Sequence, residues 1–559
     1  MNASQTIQSF SDLWQRRVPR LVVTARDKIA AARGSILMAL AVVLTAMMLG
    51  LITAVQPFLA LLLVIVLIGL GSLIWLARRV APRAPLWIKA SFLVVIGQLV
   101  FSYGFSNIIF FVGGLPLPLT ECVLFVALCA CAYRVWLAKE RLSLPLPLWF
   151  LVLWIAFNLA WHLPSGLIRD GVGAARDAMP TVEILFIIPG FVITTICLQE
   201  GAHGSIWIRS VLLILGCLLA IYGLLYPFSS SIQAISPRVT SLQQSVPIFG
   251  HFTSFPAVGL MAMIGWALWS WQSSEPTRLW GSVLGVATFV AGFLVFFMVQ
   301  ARIAYLFVIV SLFVFWTIGG QAKQARRIVL ALLVGLSVLL TIEMSGLEFK
   351  GRVGRLSASG IVDHVLTLTG QSNDSRSEFS GAAAGVNQRR QWRDFSLKLW
   401  SRDISTRILG IGFGQVLTDL TTAGTEGQTM IVREPHNSYV TTLSRSGIVG
   451  LIVMLSLHTY VLRLCLSGYR RHYLTQRPHA AYFLGVMFYE LYCLLNSWGE
   501  PHFEVAHFAV PSYFIYGTVI GLHVYTSQIN LNRPQHATLV PTETPMNSSC
   551  IASIPGRDR

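Results

Sequence analysis

Apolar runs long enough to cross a bilayer recur along the chain, and no other feature constrains its fold as much. They lie at roughly 35–54, 57–77, 90–111, 118–137, 146–162, 180–198, 208–226, 255–271, 279–298, 301–319, 328–345, 447–466, 481–498 and 505–524. A bilayer core takes about 20 apolar residues in helical form, so the pattern predicts about 14 membrane spans (12–14). Charged residues make up only 12% of the chain, against roughly 25% in a soluble domain. Inside lipid every backbone polar group must be bonded within the protein, and no alternating barrel strands are visible. The expected fold class is therefore an all-α polytopic membrane protein.

The charges supply a topology. Residues 1–33 are polar and basic, which suits a cytoplasmic tail with an interfacial helix around 14–29. If that tail is inside, the groups Arg78/Arg79/Arg83/Lys89, Arg134/Lys139/Arg141, Lys323/Arg326/Arg327 and Arg463/Arg470/Arg471/Arg477 all fall in inside loops, as the positive-inside rule asks. The predicted organisation is a tail at 1–33, a bundle of about 11 helices at 34–346, a large outer loop at 347–446, about three more helices at 447–525, and a disordered cytoplasmic tail at 526–559. The segments 163–179 and 227–254 also fall outside. The net charge of +17 is thereby topological, and nucleic acid is not an expected partner. The eight cysteines lie almost all in apolar runs without a C-x-x-C pair, so neither a disulfide framework nor a zinc site is indicated.

Several polar residues sit where chemistry would need them. Arg302 opens an apolar run near the outer interface; it either faces a polar partner or snorkels to the headgroups. Arg169-Asp170 and Arg176-Asp177 are seven residues apart, close to two helical turns, so both Arg would share a face. Each Arg could equally pair with its own neighbour. In 388–407, Trp392, Phe395 and Leu399 repeat with helical spacing among Arg389, Arg390, Arg393, Lys398, Arg402 and Arg407. Such a helix would lie in the interface with its aromatic face in lipid, where its guanidinium forks suit phosphate oxygens or simply acidic lipid.

Gly410-Ile411-Gly412-Phe413-Gly414 reads as a tight turn bringing backbone against backbone, since no βαβ unit surrounds it. Further on comes Glu434-Pro435-His436-Asn437-Ser438-Tyr439. His436 precedes an apolar helix that Asn437 or Ser438 could cap, and an imidazole is suited to taking a proton near neutral pH. A structural, hydrogen-bonded His is the alternative, and His251, His502 and His507 compete on the same argument. The chain has no Walker lysine loop, H-E-x-x-H, G-x-S-x-G or outer-face D-x-D.

Taken in order, these residues resemble the bacterial O-antigen ligases and the related O-antigen and exopolysaccharide polymerases. Ala301-Arg302-Ile303-Ala304 is similar to that family's Ser-Arg-Gly-Ala step, and Arg389 or Arg390 with Trp392 to its Arg-x-x-x-Trp element. Ile408–Gly414 resembles its Leu-x-Gly-x-Gly-x-Gly turn. Pro435-His436-Asn437-Ser438-Tyr439 with Ser446-Gly447-Ile448-Val449-Gly450-Leu451 resembles its His-Asn-x-x-Leu … Gly-x-x-Gly-Leu pattern. Ala301, Ile303 and Val440 depart from it. The resemblance spans about 230–460, and Arg176-Asp177 is similar to an Arg step placed before an earlier helix.

The resemblance implies a GT-C-like inner-membrane enzyme whose large loop is periplasmic. It would transfer a glycan from undecaprenyl diphosphate to a sugar hydroxyl, without metal or other cofactor. Arg302, Arg389, Arg390 and Arg176 would bind the diphosphate and His436 would be the catalytic base, with Glu434, Asn437 and Trp392 in support. The acceptor is another lipid-linked repeat in a polymerase, towards which the helix count and the departures at 301–303 lean, or lipid A–core in a ligase. Expected partners are the lipid-linked saccharide, the bilayer, and a chain-length regulator or other export-pathway proteins. A flippase or solute carrier is the reading from another class, prompted by the intramembrane Glu121, Glu183 and Glu490.

Overall fold

The computed structural model describes residues 85–112, 115–134, 144–199, 229–240, 245–249, 302–317, 377–418, 432–474 and 477–531, with scattered helical positions between 329 and 346. The basic tail, the apolar runs at 35–54, 57–77, 208–226, 255–271 and 279–298, His251 and the last 28 residues lie outside the described residues, as do the side chains of Arg302 and of 377–387.

The described residues are mainly helical. The helices are α1 (Leu86–Ser106), α2 (Leu119–Ala132), α3 (Leu146–Asp170), α4 (Val172–Glu183), α5 (Ile187–Gln199), α6 (Ser229–Ile235), α7 (Arg302–Thr317), α8 (Ser377–Trp400), α9 (Ile404–Leu409), α10 (Ser438–His472), α11 (Arg477–Asn496) and α12 (Ala506–Leu531). Among the described residues, four helical stretches are long and apolar enough to cross a membrane: Leu146–Asp170, Val172–Gln199, Ser438–His472 and Ala506–Gln528.

Two antiparallel hairpins depart from the all-helical expectation. β1 (Ile109–Val112) pairs with β2 (Leu115–Pro118), and β3 (Arg238–Thr240) pairs with β4 (Ser245–Pro247). The first ends the helix expected over 90–111. Ile109-Phe110-Phe111-Val112 is aromatic and β-branched, and the sequence that follows is Gly113-Gly114, a hairpin-turn pair.

The core forms where α12 packs against α5 and α1 and where α10 packs against α11. Glycines allow the closest approach: a Cβ on Gly190 would lie 2.2 Å from the Phe514 carbonyl oxygen, and one on Gly517 2.1 Å from that of Ile187. Small residues at such crossings let helix backbones touch where lipid gives no hydrophobic drive. Phe191, Val192, Phe514 and Tyr516 are almost wholly buried around this contact. Outward-facing Trp149, Phe150, Leu153, Phe157 and Trp161 of α3 stay exposed, as suits a lipid-facing helix.

Three expectations near the loop change. Gly171, at φ 50°, breaks the helix between Asp170 and Val172, so the two Arg-Asp pairs lie on separate helices. The aromatic face of α8 docks on protein: Trp392 and Leu399 are buried and the Ser396 hydroxyl donates to the Leu417 carbonyl at 2.6 Å. Lipid does not cover that face. The final group of helices also opens at Ser438 rather than near 447, because Asn437 caps α10 there.

Candidate active site

The site is built around a break in α10. Gly447 has φ 68° and ψ −170°, a conformation that is essentially glycine's alone. The break leaves carbonyls of the preceding turn without helical partners, and the glycine turn takes them up. Ile411 N–H donates to the Ser444 carbonyl at 2.8 Å and Gly412 N–H to that of Arg445 at 3.0 Å. Gly410, Gly412 and Gly414 all have positive φ. A Cβ on Gly410 would stand 2.2 Å from the Arg445 carbonyl oxygen, and one on Gly412 2.6 Å from the His162 ring. The turn thus brings backbone against backbone, as its sequence predicts. His162 of α3 fixes its start, with Nε2 2.8 Å from the Leu409 carbonyl.

Asp177 is the electrostatic centre. Its carboxylate is almost fully buried and accepts from Gly414 N–H at 3.0 Å, from Arg433 Nε at 2.9 Å and from Arg433 Nη2 at 3.0 Å. It also meets Arg445 Nη1 at 2.9 Å. Arg433 reaches on to Asp170 at 2.5 Å. Burial works against the Arg433 charge, but the two aspartates more than offset it and raise its pKa. The aspartates of the two Arg-Asp pairs therefore hold distant arginines, while Arg176 stays exposed.

His436 stands beside this cluster with its side chain 30% exposed, and takes φ 52°. Positive φ is uncommon for a residue other than glycine and carries strain. Its neighbours hold it there. The Trp392 ring lies parallel at 5.7 Å. Asn437 caps α10 by accepting from Val440 N–H at 3.0 Å and donates from Nδ2 to the Trp498 carbonyl at 2.8 Å. Ser438 N–H donates to the Ser497 carbonyl at 2.9 Å, and its hydroxyl donates to Glu504 at 2.5 Å. The 496–504 link between α11 and α12 is thus the platform on which the His-Asn pair rests.

That platform supplies Glu500, a residue that sequence reasoning passed over. Its Oε2 lies 3.7 Å from His436 Nδ1, and its Oε1 3.2 Å from Arg389 Nη1. Arg389 also donates to the Gly499 carbonyl at 2.6 Å. Glu434 points elsewhere, with Oε1 3.9 Å from Arg445 Nη2. Burial raises its pKa, while Arg445 opposes the shift. Arg390 is exposed on α8. Arg302 begins α7, whose Phe307 packs on Phe488 and Tyr492 of α11.

The structure therefore gathers Arg389, Trp392, Glu434, His436 and Asn437 around one entrance, with Arg176 close enough to Glu434 to act on its charge. Reading the sequence also missed Arg433 and Arg445. Arg445 left a signal, since an Arg only two residues before an apolar run begins needs a partner. His502 is buried and held neutral, its pKa lowered to about 3 by burial and by His507. His507 is buried in α12. Of the intramembrane carboxylates, Glu490 pairs with His458 at 2.6 Å and accepts from Tyr516, and Glu183 lies buried beside Glu121.

Residues 287–455 match a family model described as O-antigen ligase. The matched stretch holds Arg302, Arg389, Arg390, Trp392, Glu434, His436, Asn437 and Arg445, and leaves out Arg176, Glu500 and Glu504. None of the curated proteins compared with the chain matches it.

Proposed function

We propose, on the match of residues 287–455 to the O-antigen ligase family model, that the protein transfers a glycan from undecaprenyl diphosphate to a sugar hydroxyl at the periplasmic face. The observation that carries this reading is the set around His436: a strained, solvent-reaching imidazole stacked on Trp392, with Glu500 bridging it to Arg389. His436 takes the proton of the acceptor hydroxyl as that oxygen attacks the anomeric carbon of the donor sugar. The bond to the diphosphate breaks, and the diphosphate leaves as an anion.

Each part follows from charge and geometry. An imidazole held by a carboxylate at Nδ1 presents Nε2 as the accepting nitrogen. The separation of 3.7 Å is longer than a hydrogen bond, and such contacts often tighten only when substrate binds. A diphosphate is stable as an anion, so the site needs positive charge at its oxygens rather than an acid. Arg389 and Arg390 on α8, Arg176 on α4 and Arg302 at the start of α7 are the residues assigned to that charge. Metal plays no part in this scheme. The reaction assigned is polymerisation, in which the acceptor is a second lipid-linked repeat.

The test is His436→Ala in the native host, with the lipid-linked intermediates analysed. Transfer should fall by about 10²–10⁴-fold, the usual worth of a positioned base. Single repeats left on the carrier indicate a polymerase, and long chains left there a ligase. Unchanged polymer with stable mutant protein overturns the assignment of His436.

A further inference from the structure

α3, α4 and α10, with Phe413, Phe503, Glu504 and Tyr513, line a partly open cavity of about 80 Å³. Asp177, Thr181, Glu434, Thr441, Arg445 and Glu504 line its polar side, and Trp154, Phe413, Phe503 and Tyr513 its aromatic side. Three of the polar atoms make no hydrogen bond within the protein: the Thr441 hydroxyl and the Arg445 Nε and Nη2 groups, on side chains almost wholly buried. The shortest ion-pair approach to one of them, Arg445 Nη2, is 3.9 Å, from Glu434. Thr441 and Arg445 are four residues apart, so they share one face of the first half of α10. A buried polar atom left unpaired costs about 1–3 kcal/mol, and here three such atoms converge on one space.

The lining charges say what could fill it. Arg445 is the one arginine of the lining and Asp177 already pairs with it, so a diphosphate would meet no unpaired positive charge. A neutral ligand rich in hydroxyls fits better. Its oxygens can accept from Thr441 and Arg445, and its O–H groups can donate to Glu434 and Glu504. Asp177 is already occupied by Gly414, Arg433 and Arg445. The aromatic rings offer negative faces to C–H groups that carry slight positive charge. At about 80 Å³ it is roughly half of an apolar cavity that admits benzene, so it takes one edge of a sugar ring while the rest of the ring stays at its open mouth.

We propose that this cavity is a monosaccharide subsite, taking one pyranose residue of a glycan through Thr441, Arg445, Glu434 and Glu504. The inference rests on the reading that the protein transfers a glycan, and it adds the place where one sugar is recognised. It is separate from the arginines assigned to the diphosphate. The residue bound is either the terminal sugar of the acceptor or the first sugar of the donor, since both present the same hydroxyl chemistry.

The decisive variant is Thr441→Val. Its hydroxyl makes no hydrogen bond within the protein, so this near-isosteric change does not lower folding or thermal stability and should raise it, and any loss of binding reports the ligand. Full-length protein in lipid nanodiscs is probed by saturation-transfer NMR with glucose, galactose, mannose and N-acetylglucosamine, one at a time. At least one sugar should receive saturation, strongest at its ring C–H protons. The signal should be lost in Thr441→Val and weakened in Glu504→Gln. His436→Ala should bind sugar as the unaltered protein does, so a failure of the base assignment and a failure of the subsite give different results.

In turnover, Thr441→Val should raise one KM about tenfold, in keeping with a lost buried hydrogen bond. A rise for the acceptor identifies the acceptor sugar, and a rise for the donor identifies the donor's. No saturation with any of the four sugars, or a Thr441→Val protein that binds and turns over unchanged, overturns the proposal and leaves a water-filled cavity.

Discussion

At the scale of single residues, the site depends on pairs that lie far apart in the chain. Glu500 is 64 positions from His436 and touches it only because the 496–504 link folds under the start of α10. Glu500→Gln is expected to lower kcat by about 10- to 100-fold, as loss of an orienting partner does, with a smaller change in KM for the donor through Arg389, its ion-pair partner. Steady-state kinetics on the purified protein checks the split, and an equal loss in KM would make Glu500 a binding residue. Glu504 carries a pH dependence of its own. Burial and the nearby Glu434 raise its pKa from 4.5 to about 8. A carboxyl raised on folding stabilises the fold below its unfolded pKa, and that stability is lost as pH rises through the folded value. Thermal stability should therefore decline between about pH 5 and pH 8, and Glu504→Gln should flatten that decline in melts across the range. The cap at Asn437 was legible in the sequence, because an Asn before an apolar helix has a local role. Glu500 was not, because nothing local distinguishes it from a surface glutamate.

At the scale of elements, the break in α10 and the glycine turn are one device. The turn's N–H groups fill the carbonyls that the break exposes, and Gly447 and Gly410 give the room. A Cβ on Gly447 would lie 2.1 Å from the Ile408 carbonyl oxygen, and the backbone there cannot yield without losing those bonds. Gly447→Ala is expected to cost about 1–3 kcal/mol, the range for backbone held in a forbidden region, and to release the turn from α10. Melting in detergent and proteolysis near 410–414 check it; an unaltered melt would show the turn to be held by other contacts. The sequence predicts the turn through its alternating glycines. It gives no sign of what the turn docks on, because the apolar run begins only at 447 and residues 438–446, which receive the turn, read as the end of the outer loop. The α8 face fails for the same reason: an amphipathic pattern shows that Trp392 and Leu399 seek cover, not whether lipid or protein provides it.

At the scale of the whole molecule, Asp177 ties α4, the glycine turn and α10 together through Gly414, Arg433 and Arg445. Asp177→Ala would leave two arginines without their buried anion, a change that costs about 3–5 kcal/mol. Folded protein in the membrane should fall sharply, as measured by monodisperse yield after extraction. Near-normal yield would mean that Asp170 and Glu434 suffice to hold both arginines.

The sequence by itself determined that the chain is a membrane protein of many apolar helices with one polar region centred on His436, since hydropathy and local charge are properties of consecutive residues. It also carried the O-antigen ligase-related pattern that the family match bears out over 287–455. Only the tertiary structure decided which charges meet. Asp177 with Arg433 and Arg445, and Glu500 with His436, are pairings across helices, and their strength depends on burial and distance that no run of neighbours records.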